Sequence, residues 1–223
     1  MSGPLGAAAL VLAGYLLGAI PVGLVIGRLT RGIDLREYGS HRTGATNALR
    51  TLGARWALVV FVLDVAKGAA AVLLARWIFA GDGGALSAEW VASAAGFAAI
   101  VGHNWSVFIG FSGGRGVATS TGALTALVPL ATLVVAPVVA FIMWRWRFVS
   151  LGSISGAALA PVVVAILMAV AMGGADLAYV AYALAAGALV IAAHADNIGR
   201  LRAGTERKIG QKERIEPQPE GSA

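Results

Sequence analysis

Residues 102–119, GHNWSVFIGFSGGRGVAT, place a polar, glycine-dense stretch between two long apolar segments. Gly113, Gly114 and Gly116 free the backbone to turn several N–H groups toward one point. Arg115 adds a fixed cation, and the apolar run from Val117 supplies a helix N-terminus behind them. A loop of this kind is an anion cradle, and its plain structural alternative is a glycine-rich turn between helices. A second glycine-punctuated stretch, GSHRTGATNALR at 39–50, brings Ser40, Thr46, Asn47 and Arg50. A third begins at His194, with Asn197 one turn beyond it and Arg200 further on. Taken singly these are ordinary cap, loop or boundary residues. Taken together, three loops offer hydroxyls, cations and two histidines, His103 and His194, where apolar runs end.

Missing motifs narrow the chemistry. There is no cysteine, no G-x-S-x-G elbow, no H-E-x-x-H and no G-x-x-x-x-G-K-[ST]. A zincin, an acyl-enzyme serine hydrolase and a P-loop nucleotidase are therefore disfavoured. None of His41, His103 and His194 is followed by an aspartate after four intervening residues. No metal-ligand cluster is evident and no cofactor is called for. A reaction here would rest on positioned anions and electrostatic stabilisation.

These residues need a scaffold, and composition dictates its class. Of 223 residues, 58% are hydrophobic and 13% charged, too apolar for a soluble domain. The expected fold is an all-α integral membrane protein in one domain over 1–214, with a disordered tail at 215–223. The net charge of +6 is concentrated in loops, where it sets orientation.

A first span covers 5–27; a signal peptide would want a basic start that residues 1–6 lack. The arginine-rich segment 28–55 then belongs inside, which places the N-terminus outside. A second span, 56–79, carries Asp64 and Lys67 on one helix face. This is either a buried ion pair or part of a hydrated pocket. Arg76, near the far end, would have to snorkel. The loop at 81–89, with Asp82 and Glu89, fits outside. A short third span, 90–101, leads to an interfacial stretch anchored by Trp105 and Phe108.

Arg145 and Arg147 constrain the long apolar run before them. If they and the glycine loop are both cytoplasmic, 117–143 must enter and leave on one side as two short helices broken near Val128 and Pro129. One long helix would put the two arginines outside. Residues 149–171 and 177–193 complete about seven helical segments, with the C-terminus cytoplasmic.

Three ordered motifs resemble the acyl-phosphate:glycerol-3-phosphate acyltransferase family, PlsY. They are Ser40 with Gly44-Ala45-Thr46-Asn47 and Arg50; Gly102-His103 with Gly113 to Thr119; and His194, Asn197, Arg200, Gly204 and Glu206. Asp64 to Gly68 also looks like a family segment. The resemblance implies transfer of a fatty acyl group from acyl phosphate to the sn-1 hydroxyl of glycerol 3-phosphate, giving lysophosphatidic acid and phosphate. It implies a bacterial inner-membrane enzyme whose seven-helix bundle opens its site to the cytoplasm, with membrane lipid around it and no nucleic-acid partner.

By the same resemblance Ser40, Arg50, His194 and Asn197 correspond to the catalytic groups. Thr46, Asn47, Lys67, His103, Gly113, Gly114, Arg115, Gly116, Thr119 and Arg200 correspond to substrate-binding positions, and Glu206 to a structural one. Two departures stand out. Arg115 replaces the usual lysine, exchanging a compact ammonium for a planar fork, and His41-Arg42 stand where Gly-Asn is usual. From another class, an anion transporter would explain Asp64 and Lys67, although no inverted repeat is visible. A lipid-binding scaffold would explain the arginines but not the glycine turns.

Overall fold

The computed structural model describes residues 2–79, 87–170 and 176–211; the Asp82 part of the expected outer loop and the expected tail lie outside them. The described chain is all-helical apart from one isolated bridge between Ser106 and Ser112. Its α-helices are α1 (Gly3–Ala19), α2 (Val22–Arg31), α3 (Ala45–Thr51), α4 (Ala54–Ile78), α5 (Ala88–Asn104), α6 (Val117–Leu127), α7 (Pro129–Trp146), α8 (Val149–Ala169), α9 (Leu177–Ala193) and α10 (Ala195–Arg202). Among the described residues, four stretches are long and apolar enough to cross a membrane: Gly3–Arg31, Ala54–Ile78, Pro129–Trp146 and Val149–Ala169. α9 is equally apolar and bends by 58° into α10. Large side chains such as Leu63, Trp77, Leu133 and Phe141 face outward, while Asp64, Lys67, Asn104 and Ser153 are buried. This polarity suits a lipid solvent, in which polar groups must be satisfied internally.

The break between α6 and α7 falls at Val128 and Pro129, where the sequence predicts it. Pro129 has no N–H to continue the ladder, so it starts a new helix in the position a proline tolerates best. The first span lies within Gly3–Arg31, and its helix is interrupted. Pro21 ends α1, and the Ala19 and Ile20 carbonyls leave the helical ladder. Ser106 Oγ donates to Ala19, and the Ile20 carbonyl accepts from the Val22 N–H at 2.9 Å and from Lys67 Nζ at 3.0 Å. The third span also runs longer than expected, so that Gly102, His103 and Asn104 form the last turn of α5.

Helices approach closely where side chains are absent. On α1, Gly14 and Gly18 meet the backbone of Ala95 and Ala99 on α5, so a Cβ at either would strike main chain. Gly68 of α4 meets the Thr119 carbonyl of α6, while Gly122 of α6 meets the Val65 carbonyl of α4. Small residues at i, i+4 allow such contacts, and van der Waals packing holds helices that gain no hydrophobic drive from lipid. α7 and α8 form an outer pair, with α8 packed on α9.

Arg76, expected to reach for the interface, has protein partners within the bundle. Its Nη2 lies 2.7 Å from Glu89 Oε2 and its Nη1 donates to the Ala126 carbonyl at 3.0 Å. Tyr179 OH donates to the same Glu89 oxygen at 2.6 Å. Glu89 is thus helical, on the first turn of α5. The network ties α4, α5 and α9 to the C-terminal turn of α6, where the helix break leaves carbonyls without N–H partners.

Candidate active site

At the other end of the bundle the three polar stretches meet around one cavity of about 260 Å³. Its walls include Ser40, Thr46, Asn47, Arg50, His103, Gly114, Arg115, Gly116, His194, Asn197 and Glu206. Four other candidates lie outside the wall. Lys67 is paired 2.8 Å from Asp64 Oδ1. Gly113 packs on the His103 and Asn104 carbonyls, and Thr119 is fully buried in α6. Arg200 Nε is 2.8 Å from Glu206 Oε2.

The first stretch is held by its own asparagine. Asn47 Oδ1 accepts from the Ser40 N–H at 2.9 Å, and Asn47 Nδ2 lies 2.8–3.0 Å from the carbonyls of Leu35, Tyr38 and Arg42. Its amide is consumed in folding the loop, so it positions its neighbours. Ser40 Oγ has no protein partner among the described residues. Arg36 links this stretch to the next. Its guanidinium grips Asp34 at 2.6 Å and donates to the Ile109 carbonyl and Ser112 Oγ. That grip holds the Asp34 carboxyl below its ordinary range.

The glycine loop rests on His103. Gly114 N–H donates to the His103 carbonyl at 3.0 Å, and a Cβ at Gly114 would land on the His103 ring. Below the ring, His103 Nδ1 is 3.4 Å from Asp64 Oδ1. Gly116 takes a left-handed φ of 77° as the N-cap of α6, a conformation that strains any side-chain-bearing residue. Half-buried between these glycines, Arg115 makes no hydrogen bond to the described protein, and its Nε is fully enclosed. Burial first, then the charges of Arg42 and Arg200, pull its pKa down to about 10, so it remains a cation at neutral pH.

The third stretch supplies acceptors. His194 Nδ1 is 2.7 Å from the Val190 carbonyl, which can only accept. In the neutral ring Nδ1 therefore carries the hydrogen and Nε2 keeps a lone pair. Burial pushes the His194 pKa below its ordinary value and Arg115 adds to the effect, outweighing the Val190 bond. Asn197 Nδ2 donates to Glu206 Oε1 at 2.7 Å, which fixes the amide and leaves Oδ1 buried without a donor. Glu206 also accepts from Ser150 Oγ at 2.9 Å and from Arg200, so this one carboxylate ties α10 to α8. Burial pushes its pKa up, but those three hydrogen bonds outweigh burial and hold it down.

Cations thus stand on one side of the inventory and two acceptors for hydroxyl groups, His194 Nε2 and Asn197 Oδ1, on the other. Such a set recognises an anion that also carries hydroxyl groups. The cavity adjoins an apolar groove of about 290 Å³ among α6, α7, α8 and α9, with Phe61, Val117, Met143 and Ser153 lining both. Sequence reasoning does not single out Phe61, Met143, Ser150 or Ser153. Ser150 and Ser153, three apart on one face of an apolar helix, are the available signal.

A family profile described as glycerol-3-phosphate acyltransferase matches residues 8–204. A protein named glycerol-3-phosphate acyltransferase from Halalkalibacterium halodurans is 43% identical over 206 residues, covering 91% of this chain and 95% of that one. A Synechococcus protein of the same name is 46% identical over 209 residues, covering 90% and 92%. Among solved structures, PlsY, an integral membrane glycerol 3-phosphate acyltransferase, superposes in its glycerol 3-phosphate form with a TM-score of 0.79 at 38% identity, covering 92% of this chain and 96% of that one. Its lysophosphatidic acid form superposes with a TM-score of 0.77 at 36% identity and the same coverage.

Proposed function

The chain belongs to the glycerol-3-phosphate acyltransferase family, and from that premise we propose that it moves a fatty acyl group from an acyl phosphate to the sn-1 hydroxyl of glycerol 3-phosphate. The products are lysophosphatidic acid and inorganic phosphate. The observation that carries this reading is a pair of adjoining recesses that share Phe61, Val117, Met143 and Ser153, one cationic and hydroxyl-accepting and the other apolar. The substrates divide in the same way, into phosphates with a polyol and a fatty chain.

In this reading the Gly113 to Gly116 loop and Arg115 hold the phosphate of glycerol 3-phosphate, and Ser40 and Arg50 hold the donor phosphate. The acyl chain lies in the groove against Leu124, Val135 and Tyr182. His194 Nε2 and Asn197 Oδ1 accept hydrogen bonds from the glycerol hydroxyls and orient the reacting one. The hydroxyl oxygen bonds to the acyl carbonyl carbon, the bond from that carbon to the phosphate oxygen breaks, and phosphate leaves with the bonding pair. The hydroxyl proton has two acceptors in reach, the departing phosphate and His194 Nε2. Because the donor is an activated mixed anhydride, the protein chiefly holds two anions together against their repulsion. A bacterial inner-membrane location with the cavity toward the cytoplasm completes the proposal.

The test is turnover of the purified protein with labelled glycerol 3-phosphate and either acyl phosphate or acyl-CoA as donor. Turnover with acyl phosphate alone, retained in chelator, is expected. Equal rates with acyl-CoA would remove the donor assignment.

A further inference from the structure

Arg42 has no place in that scheme, yet its side chain lines the same cavity as Arg115. Neither guanidinium has a hydrogen bond or ion pair with protein among the described residues. The two carboxylates at the cavity are committed elsewhere: Asp64 to Lys67 and His103, and Glu206 to Ser150, Asn197 and Arg200. Two like charges therefore share a cavity with no direct ion pair to either among the described residues, and among the charges around it Arg42 acts most strongly against the Arg115 cation.

The chain holds Arg42 there at some cost. Its carbonyl is pinned by Asn47 Nδ2 at 2.9 Å. The residue before it, His41, sits at a left-handed φ of 55°, with Nδ1 2.8 Å from the Arg36 carbonyl. A side-chain-bearing residue in that region is strained, and strain of this kind clusters where binding requires a fixed geometry.

We propose that Arg42 is a second cation on the phosphate of glycerol 3-phosphate, closing on it from the first stretch while Arg115 closes from the glycine loop. The inference rests on the reading that the glycine loop holds that phosphate. It assigns Arg42 to this anion because its side chain lines the same cavity as Gly114, Arg115 and Gly116, the groups placed around that phosphate. A dianion between two planar forks removes their mutual repulsion and accepts paired hydrogen bonds from each.

The experiment is thermal unfolding of the full-length purified protein against a glycerol 3-phosphate titration at fixed ionic strength, for wild type, Arg42→Gln, Arg42→Lys and Arg115→Gln. A ligand that binds only the folded state raises its stability with the logarithm of concentration over Kd. Arg42→Gln should need about tenfold or more glycerol 3-phosphate for the wild-type shift, the loss of one charge-assisted contact, and Arg42→Lys should recover most of it. The KM for glycerol 3-phosphate should rise in parallel, with little change for acyl phosphate. If Arg42→Gln does not fold, Arg42→Asn gives the same reading. A wild-type response in Arg42→Gln together with a lost response in Arg115→Gln would overturn the role of Arg42 and leave the loop assignment standing. A KM rise confined to acyl phosphate would overturn it in favour of the donor. No response in wild type would remove the loop assignment itself, and the proposal with it.

Discussion

At the scale of single residues, His194 makes the proton question measurable. Burial lowers its pKa below the ordinary 6.5, so the folded protein holds a neutral ring while an unfolded chain would protonate first on acidification. The sign comes from linkage. Between the folded value and 6.5 the unfolded state binds more protons. The stabilisation is therefore fully present above about 6.5 and is lost as pH falls toward the folded pKa. If Nε2 accepts the hydroxyl proton, kcat should show an acid limb below 6.5. Arg115→Gln removes a like charge and should move that limb upward. An acid limb at the same pH in wild type, Arg115→Gln and His194→Gln would assign the proton to the leaving phosphate instead.

At the scale of elements, the glycine contacts carry a stability prediction. A Cβ at Gly68 would collide with the Thr119 carbonyl, and backbone cannot rotate away as a side chain does. Gly68→Ala should force α4 from α6 and cost at least about 1 to 3 kcal/mol. Gly199, in α10, has open space around its Cβ position, so Gly199→Ala should be neutral or stabilise by up to about 1 kcal/mol through helix propensity. Thermal unfolding in detergent compares the two, and an equal effect would refute the close approach.

Much of this element layout is legible in the sequence. The helix break before Pro129 comes from a missing N–H, and the loop-bounded helices come from long apolar runs. The convergence of three polar stretches on one cavity can be expected from their residue types. Partner choice cannot. Arg76 reads as a misplaced charge until Glu89 and Tyr179, distant in sequence, arrive beside it. Arg36 reads as one basic loop residue among many, yet it joins two loops. Pro21 lies inside an apolar run, and only the fold shows Lys67 joining the Val22 N–H at the Ile20 carbonyl beside it. Asn47 corresponds by the family resemblance to a substrate-binding position, and the fold adds that its amide also holds the loop.

At the scale of the molecule, the basic stretches gather at one end. Arg36 reaches Ile109, and Ile209 N–H donates to the Arg147 carbonyl at 2.8 Å, which brings the C-terminal arginines beside those of the α7–α8 turn. On the positive-inside rule that end, with the cavity, is expected to face the cytoplasm. The chain has no cysteine, so Arg145→Cys introduces a single reactive thiol. It should be labelled by an impermeant reagent in inverted vesicles and protected in intact cells. Labelling from the outer face would reverse the orientation and with it the count of crossings.

The shared wall of the two recesses, at Phe61, Val117, Met143 and Ser153, bears on the direction of the reaction. Ala136 and Ala140 on the groove are exposed on the outer helix pair, while Ser40, Arg42 and Thr46 are half-exposed at the polar end. Two products formed at such a junction part company at once. In the proposed reaction the lipid would slide sideways into the bilayer, and the inorganic ion would escape into water. Reversal then requires two species from different phases to return together, so each inhibits on its own scale. Aqueous phosphate should compete by molarity and the lipid by its mole fraction in the membrane, and diluting the bilayer with inert lipid should relieve the second without touching the first.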